Sequence, residues 1–157
     1  MKNLILRTLA TVLVLQALFF TSPSNVRAHD ETCPPPSPVD IDIKPADALN
    51  KINLSAKGLL PVAVLTTQGF DASQFTPEMA HLSDADLAMT TSCVGAEAVR
   101  WNYSDVNRDG ELDLVFFFQT QDLNLIPGST AATLMAHGVY NSTVTHIEGT
   151  DPVLIKP

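Results

Sequence analysis

Residues 112–118 have the sequence LDLVFFF, which is apolar on both faces of an extended chain. A strand that is apolar on both faces belongs in the interior of a sheet. Residues 59–67, LLPVAVLTT, form a second apolar run that is rich in β-branched residues. Pro61 stands near the start of that run, where a missing backbone donor is tolerated. The two runs predict the buried strands of a β-sheet protein.

Shorter strand candidates surround these runs. Residues 39–43 and 99–103 alternate apolar and polar side chains, as a half-buried strand does. Further strands are expected at residues 130–136, 142–147 and 153–155, a short turn at 76–79, and a weak helix at 83–89. Because long apolar stripes with a 3.6-residue period are missing, the sequence predicts an all-β, single-domain β-sandwich of about seven or eight short strands.

The first 28 residues have the composition of a secretory signal peptide. Lys2 and Arg7 precede an apolar run at residues 8–20, and residues 26–28, VRA, form a cleavage site. A membrane-spanning helix needs about 20 apolar residues, which this run does not reach. We therefore expect a mature chain that starts at His29, is secreted or periplasmic, and is not inserted in the membrane. Residues 29–38 form a Pro-rich, poorly ordered lead, and residues 39–157 form the domain.

The charge of the chain limits its partners. The formal net charge is −8, and without the first 28 residues six basic residues face 17 acidic ones, which gives 6 − 17 = −11. Such a surface repels phosphate backbones, so nucleic acid is not an expected partner. Anionic membrane surfaces are not expected partners for the same reason.

Cys33 and Cys93 are the two cysteines of the chain. An oxidising extracytoplasmic compartment favours a disulfide between them. Neither belongs to a CxxC motif, so a redox motif of that kind is absent. The alternative is a pair of free, reactive thiols.

Residues 105–113, DVNRDGELD, carry the chemistry that the sequence shows most clearly. They fit the form D-x-N-x-D-G-x-x-D, in which oxygen-bearing side chains at alternate positions point into one loop. Ca²⁺ takes six to eight oxygen ligands, and this spacing supplies several of them. The predicted ligands are the side chains of Asp105, Asn107, Asp109 and Asp113 and the carbonyl oxygen of Glu111. The alternative is an acidic β-turn, since Asp, Asn and Gly also favour turns by themselves.

The loop departs from an EF-hand. The twelfth position from Asp105 is Phe116, where an EF-hand has a bidentate Glu, and a strand is expected to follow instead of a helix. The loop is therefore similar to the shorter calcium loops of integrin-type propeller blades and of dockerins. Asp122 and Asp151 are candidates for a distant additional ligand, and the sequence does not rank them.

Six short segments together resemble one domain family. They are IDIKP (41–45), NKINL (50–54), LPVAVL (60–65), FD (70–71), the acidic loop (105–113) and GTD (149–151). A domain that recurs in secreted bacterial and archaeal proteins typically has IDIKPGS, N-x-IN, IPVAIL, DVNGDG-x-x-D and a closing G-x-D, and the likeness spans about residues 39–155. Ala46-Asp47 replaces its Gly-Ser, and Arg108 replaces a Gly of its calcium loop. The resemblance implies an extracytoplasmic, calcium-binding β domain with no assigned catalytic activity.

Enzyme motifs are weak in this sequence. It contains neither G-x-S-x-G nor H-E-x-x-H. His81, His137 and His146 would have to meet to hold zinc, and each is interpreted instead as a separate surface or turn residue. Asp40 and Asp42 share a strand face, which favours a solvated face over an acid–base pair.

Trp101 and Tyr103 are a possible ligand-binding pair. They lie two residues apart on a predicted strand, so they share a face and could stack on a sugar, although core packing is the favoured interpretation. Asn53, Asn102 and Asn141 begin N-x-S/T sites, which matter only if the source organism glycosylates them.

Two functions remain open from the sequence. The first is a non-catalytic, calcium-binding extracytoplasmic module for adhesion or accessory binding, with an unknown protein or glycan partner. The alternative is a small secreted hydrolase with an unrecognised active site.

Overall fold

A computed structural model describes residues 35–88 and 95–156 of the chain. The predicted signal peptide, most of the Pro-rich lead, and both Cys33 and Cys93 lie outside the described residues, so the disulfide stays a prediction. Almost all regular structure in the described ranges is β, which confirms the predicted fold class. No helix in these ranges is long and apolar enough to cross a membrane.

The described residues form ten strands, one short α-helix and two short 3-10 helices. The strands are β1 (Ser37–Pro38), β2 (Ile41–Ile43), β3 (Lys51–Asn53), β4 (Leu59–Val64), β5 (Phe75–Asp84), β6 (Ala96–Ser104), β7 (Asp113–Gln119), β8 (Ala131–Tyr140), β9 (Thr143–Pro152) and β10 (Leu154–Lys156). The helices are α1 (Ala85–Ala88) and the 3-10 turns Ala72–Gln74 and Thr120–Asp122.

Eight of the strands form one sheet that folds over on itself. The strand order is β1-β9-β8-β5-β6-β7-β4-β2, and β10 and β3 form a separate parallel pair. Strand β6 pairs with β5 only at its first residues and then continues along β7. The far strand β2 thereby reaches β9, where a Cβ on Gly149 would lie 2.5 Å from Ile41 Cγ2. The two halves of the sheet enclose one apolar core.

Strands β4 and β7 form the centre of that core, as their apolar sequences predict. They pair at six positions, and Val62, Val64, Phe116 and Phe118 are almost completely buried. Pro61 is accommodated because β2 pairs with β4 only from Val62 onward. The carbonyl oxygen of Pro61 accepts the Lys44 N–H at 2.8 Å, so that part of the strand still has a partner.

Residues 76–79, where a turn was expected, belong to strand β5. That prediction was wrong, because Pro77 and Met79 both lie inside one ten-residue strand. The register between β5 and β8 shifts between these two residues, which marks a bulge. A bulge is one of the places where a strand accepts a proline. The composition of a turn is therefore compatible with a bulged strand.

The β8–β9 hairpin is longer than expected. The sequence predicts two strands with a connection at residues 137–141, but β8 runs to Tyr140 and β9 begins at Thr143. The turn consists of Asn141 and Ser142, with φ angles of 48° and 65°. Two successive positive φ angles match the twist of a tight two-residue hairpin, so the strands pair up to the turn.

Two very short strands were not predicted at all. Ser37–Pro38 pairs in parallel with β9, and the Val39 N–H continues the ladder to the Glu148 carbonyl at 2.9 Å. The end of the expected lead is therefore part of the sheet. Lys51–Asn53 pairs with β10 over three residues. These additions raise the strand number to ten within the described ranges.

Candidate functional site

The acidic loop connects the end of β6 to the start of β7, as the sequence predicts. Asp105 organises its first half. Its Oδ1 accepts the Arg108 N–H at 2.6 Å, and its Oδ2 accepts the Gly110 N–H at 3.1 Å. Both oxygens of one carboxylate thus hold the backbone of the same tight turn, as Asp side chains commonly do.

Asn107 and Asp109 continue the same pattern. Asn107 Oδ1 accepts the Asp109 N–H at 3.0 Å, and Asn107 Nδ2 donates to Asp109 Oδ2 at 2.7 Å. Asp109 Oδ1 accepts the Glu111 N–H at 2.8 Å. This backbone hydrogen bond, followed by the one from Asn107, holds the pKa of Asp109 below its usual value. The side chain stays ionised and exposed to solvent.

Asp113 closes the loop from inside the protein. It is completely buried, and its Oδ1 and Oδ2 accept the Thr66 N–H at 2.9 Å and the Val106 N–H at 3.0 Å. Thr66 Oγ1 also donates to the Leu112 carbonyl at 2.7 Å. A buried carboxylate needs such partners to offset its lost hydration. Asp113 therefore joins the loop to the end of β4.

The donor set of the loop suits a hard cation. Carboxylate, amide and carbonyl oxygens are the ligands that Ca²⁺ takes, and each carboxylate oxygen has more than one lone pair. An oxygen that accepts one N–H therefore keeps capacity for a cation. Nevertheless, the part of the chain that the structure describes contains no three His, Cys, Asp or Glu side chains grouped as a metal requires. The carboxylates of Asp105 and Asp109 accept backbone N–H groups of their own loop, so calcium would have to draw them together.

Two residues of the loop lie in the left-handed region of φ. Gly110 has φ 93°, which glycine adopts without strain, and Arg108 has φ 67°. The Arg108 side chain is exposed, and the backbone at this residue is strained because its Cβ disfavours the left-handed conformation.

The two candidates for a distant calcium ligand lie elsewhere. Asp151 Oδ2 accepts the Ile43 N–H at 2.9 Å and the Asn50 Nδ2–H at 2.8 Å, so this carboxylate joins β9 to β2 and to the turn before β3. Asp122 lies in the 3-10 helix that follows β7, whereas the acidic loop precedes β7. A seven-residue strand is about 23 Å long, which is too far for a shared ion.

Asp42 is disfavoured as an anion. Burial raises its pKa, and the negative charges of Asp151 and Asp113 raise it further. Its predicted partner Asp40 is exposed. The two do not form a distinct acid–base pair in this structure, and Asp42 instead adds to the negative potential near Asp113.

Trp101 and Tyr103 share a face of β6, as predicted. Their rings meet edge to face with centroids 5.5 Å apart. The Tyr103 hydroxyl donates to the Phe75 carbonyl at 2.7 Å, and its ring packs against the core. Trp101 is 43% exposed at the border of the core. Tyr103 is therefore a core-packing residue, whereas the Trp101 ring is partly exposed to solvent.

The histidines are not as separate as the sequence suggests. The rings of His137 and His146 are in contact, with centroids 3.8 Å apart. The hairpin register explains this pair, because the two residues lie three positions before Tyr140 and three positions after Thr143. The Asn141-Ser142 turn was the signal that could have predicted it.

Comparison with known proteins does not assign this site. No protein-family model matches the chain, and no curated protein is significantly similar to it. The function is therefore inferred from the chemistry of the described residues.

Proposed function

We propose that this chain is a non-catalytic, calcium-binding extracytoplasmic β domain that serves as an adhesion or accessory binding module. The observation that carries the proposal is the acidic loop at residues 105–113. Its oxygen-bearing residues recur at the spacing of short calcium loops, and they lie in one tight connection between two strands of the core sheet.

Calcium would act on the stability of this connection. Four acidic residues occupy nine positions. Asp109 and Glu111 are exposed and Asp105 is half-buried, and these negative charges repel one another without a cation. A bound ion turns that repulsion into attraction and fixes the start of β7. An ion that binds only the folded state adds about 2.7 kcal/mol at a hundredfold excess over its dissociation constant. Mg²⁺ should substitute poorly because it demands tighter octahedral geometry.

Thermal unfolding with calcium and with chelator tests the proposal. The wild type should melt at a higher temperature in calcium, and Asp105→Ala and Asp109→Ala should respond much less. Asp86→Asn is the matched control, because Asp86 is an exposed acid in α1, outside the loop. It should keep the wild-type response. A melting temperature that does not depend on calcium in the wild type would leave the loop as an acidic turn and overturn the proposal.

The binding role needs a surface as well as an ion. Trp101 contributes an exposed aromatic edge on β6, the strand that leads into the acidic loop. Amphipathic aromatic side chains are common anchors in protein and glycan interfaces. Glycan-array and pull-down measurements with wild type and Trp101→Ala would test this step, and binding that depends on calcium would connect it to the loop.

The hydrolase alternative has less support. A groove of about 330 Å³ lies between the β1–β2 connection and the Phe70 turn, and its lining contains the carboxylate of Asp40 and the hydroxyl of Tyr140. The residues that line it do not include a histidine. A histidine–carboxylate pair is therefore not formed among the residues that line this groove.

A further inference from the structure

The outer face of the β5–β8–β9 sheet carries an unusual set of side chains in two cross-strand rows. One row consists of Met79, His137 and His146, and the next consists of His81, Met135 and Glu148. Directly paired residues of antiparallel strands point to the same face, and so do residues two apart on one strand. Three imidazoles and two thioethers therefore share one patch.

The centre of this patch is the pair His137 and His146. Their ring centroids are 3.8 Å apart and the ring planes are inclined by 44°. The two residues are directly paired across β8 and β9, so the ring contact follows from the strand register. Two imidazoles held side by side on neighbouring strands can each offer one nitrogen to the same metal ion.

His81 gives a second, independent indication that a ligand binds at this face. Its Nδ1 is buried and has no hydrogen-bond partner within the described ranges. Buried polar atoms in native proteins are normally paired with protein, water or an ion. His81 lies on β5 opposite Met135, beside the His137–His146 pair and on the same face.

We propose that this outer face binds a copper ion through His137 and His146, with the Met79 thioether as the third donor. Imidazole suits several transition metals, and Cu²⁺ binds nitrogen donors most tightly among the divalent first-row metals. A thioether favours copper further, because soft sulfur ligands bind Cu⁺ well and do not suit a hard cation such as calcium. Met79 is the third donor because it pairs directly with His137 across β5 and β8. The described ranges contain no group of three His, Cys, Asp or Glu side chains that could supply the donors instead.

Nearby acids favour cation binding without acting as ligands. Glu78 follows Pro77 at the β5 bulge, Glu97 pairs with His81, and Glu148 lies two residues from His146. Their negative charge raises the local concentration of cations. The site is separate from the acidic loop in both sequence and donor type, so it does not rest on the proposed calcium function.

Copper affinity measured against a chromophoric chelator tests the proposal, with Cu²⁺ and Cu⁺ titrated separately. His137→Gln and His146→Gln should each weaken binding of both ions by roughly 10-fold to 100-fold or more, since even outer-shell partners of metal ligands cost that much. Met79→Leu should weaken Cu⁺ binding and leave Cu²⁺ binding nearly unchanged. His81→Gln should have a smaller effect than either ligand variant. Asp105→Ala, in the acidic loop, is the control and should bind copper as the wild type does.

Competing copper ligands must be removed first. If the mature chain starts at His29, its terminal amine and imidazole would themselves chelate Cu²⁺, and free thiols of Cys33 or Cys93 would bind Cu⁺. The titrations therefore use a His29→Ala background with any free thiols alkylated. Circular dichroism of each metal-free variant checks that it is folded.

NMR of the wild-type protein locates the copper site without any substitution. Substoichiometric Cu²⁺ should broaden the ring proton resonances of His137 and His146 in the NMR spectrum before those of the rest of the chain. Wild-type copper affinity in both His137→Gln and His146→Gln would overturn the proposal. So would zinc binding that depends on Glu148 and exceeds copper binding, or broadening that begins outside this face.

Discussion

The Asn50 side-chain amide donates to Asp151 Oδ2 at 2.8 Å, across 101 residues of sequence. The same oxygen accepts the Ile43 N–H at 2.9 Å, and Asn50 also donates to the Pro152 carbonyl at 2.8 Å. Asn50 is 8% exposed and has φ 46°. These bonds fix the end of β9 to β2 and to the turn before β3. The segments IDIKP, NKINL and GTD therefore meet in space, which gives a structural reason for their joint occurrence in this sequence.

Removal of the Asp151 carboxylate should lower the free energy of unfolding. Asp151→Ala leaves the Ile43 N–H and the Asn50 amide without this acceptor, and such losses cost about 1–3 kcal/mol each when the group is buried. We expect the free energy of unfolding to fall by about 2 kcal/mol in urea titrations. Asp122→Ala, at an exposed acid of a 3-10 helix, should change it by less than about 0.5 kcal/mol. Equal effects of the two substitutions would show that Asp151 has no special role.

Glycine should stabilise the chain at two positions. Ala46 has φ 78° and Arg108 has φ 67°, and a left-handed residue with a Cβ costs about 1–2 kcal/mol. Part of this gain is offset by the entropy of glycine in the unfolded chain. We therefore expect Ala46→Gly and Arg108→Gly each to raise the free energy of unfolding by about 0.5–1 kcal/mol.

The control for these glycine substitutions lies two residues from Ala46. Ala48 is exposed and is not among the residues with positive φ, so Ala48→Gly gains no relief of strain. It should lower the free energy of unfolding by a few tenths to 1 kcal/mol, as glycine does where its freedom is not needed. A loss of stability in Ala46→Gly comparable to that in Ala48→Gly would contradict the interpretation.

Asp42 should make the stability of the protein depend on pH. Its folded-state pKa is raised, first by burial and then by Asp151 and Asp113, so folding favours its protonated form. The folded state therefore loses stability as the pH rises through the unfolded-state pKa of about 3.9 and the group ionises. Asp42→Asn should be more stable than the wild type at pH 7, with the difference shrinking toward pH 3. Urea titrations across this range, in chelator, would measure it, and a difference that grows at low pH would have the wrong sign.

The core strands were predictable because their signal is local. The runs at 59–67 and 112–118 are apolar over more residues than a surface strand allows, and their strands β4 and β7 each have a neighbouring strand on both sides. The Trp101–Tyr103 face and the position of the acidic loop between strands follow from spacing alone. In these cases the information that determines the structure lies within about ten residues.

The remaining features depend on pairs that are distant in sequence or on register. The contact of Asp151 with Asn50 has no local signal, and the sequence presented Asp151 only as a possible calcium ligand and as part of the GTD segment. The contact of His137 with His146 requires the register of a hairpin whose two-residue turn was not recognised. The bulge at Pro77 gives a strand the composition of a turn. Local propensity does not decide such cases, because tertiary pairing overrides it.

Two carboxylates of the acidic loop, Asp113 and Asp109, should differ in their effect on stability and in their response to calcium. Asp113 is buried and holds the N–H groups of Thr66 and Val106, so its carboxylate stabilises the fold with or without an ion. Asp113→Ala should lower the free energy of unfolding by about 2–3 kcal/mol even in chelator, because it leaves buried donors without partners. Asp109 is exposed and accepts bonds from Asn107 and Glu111 within the loop, so Asp109→Ala should cost less than about 1 kcal/mol in chelator.

The change in the free energy of unfolding on adding calcium distinguishes the wild type from the two variants. Added calcium should widen the gap between the wild type and Asp109→Ala, because only the wild type gains the binding energy of the ion. Asp113→Ala should begin from a lower stability and gain little, since it has lost both a structural anchor and a ligand. Urea titrations of the three proteins in chelator and in calcium give these values directly. If Asp109→Ala were as damaging as Asp113→Ala in chelator, the exposed carboxylates would be needed to build the turn itself, and their spacing would no longer favour an ion over an acidic turn.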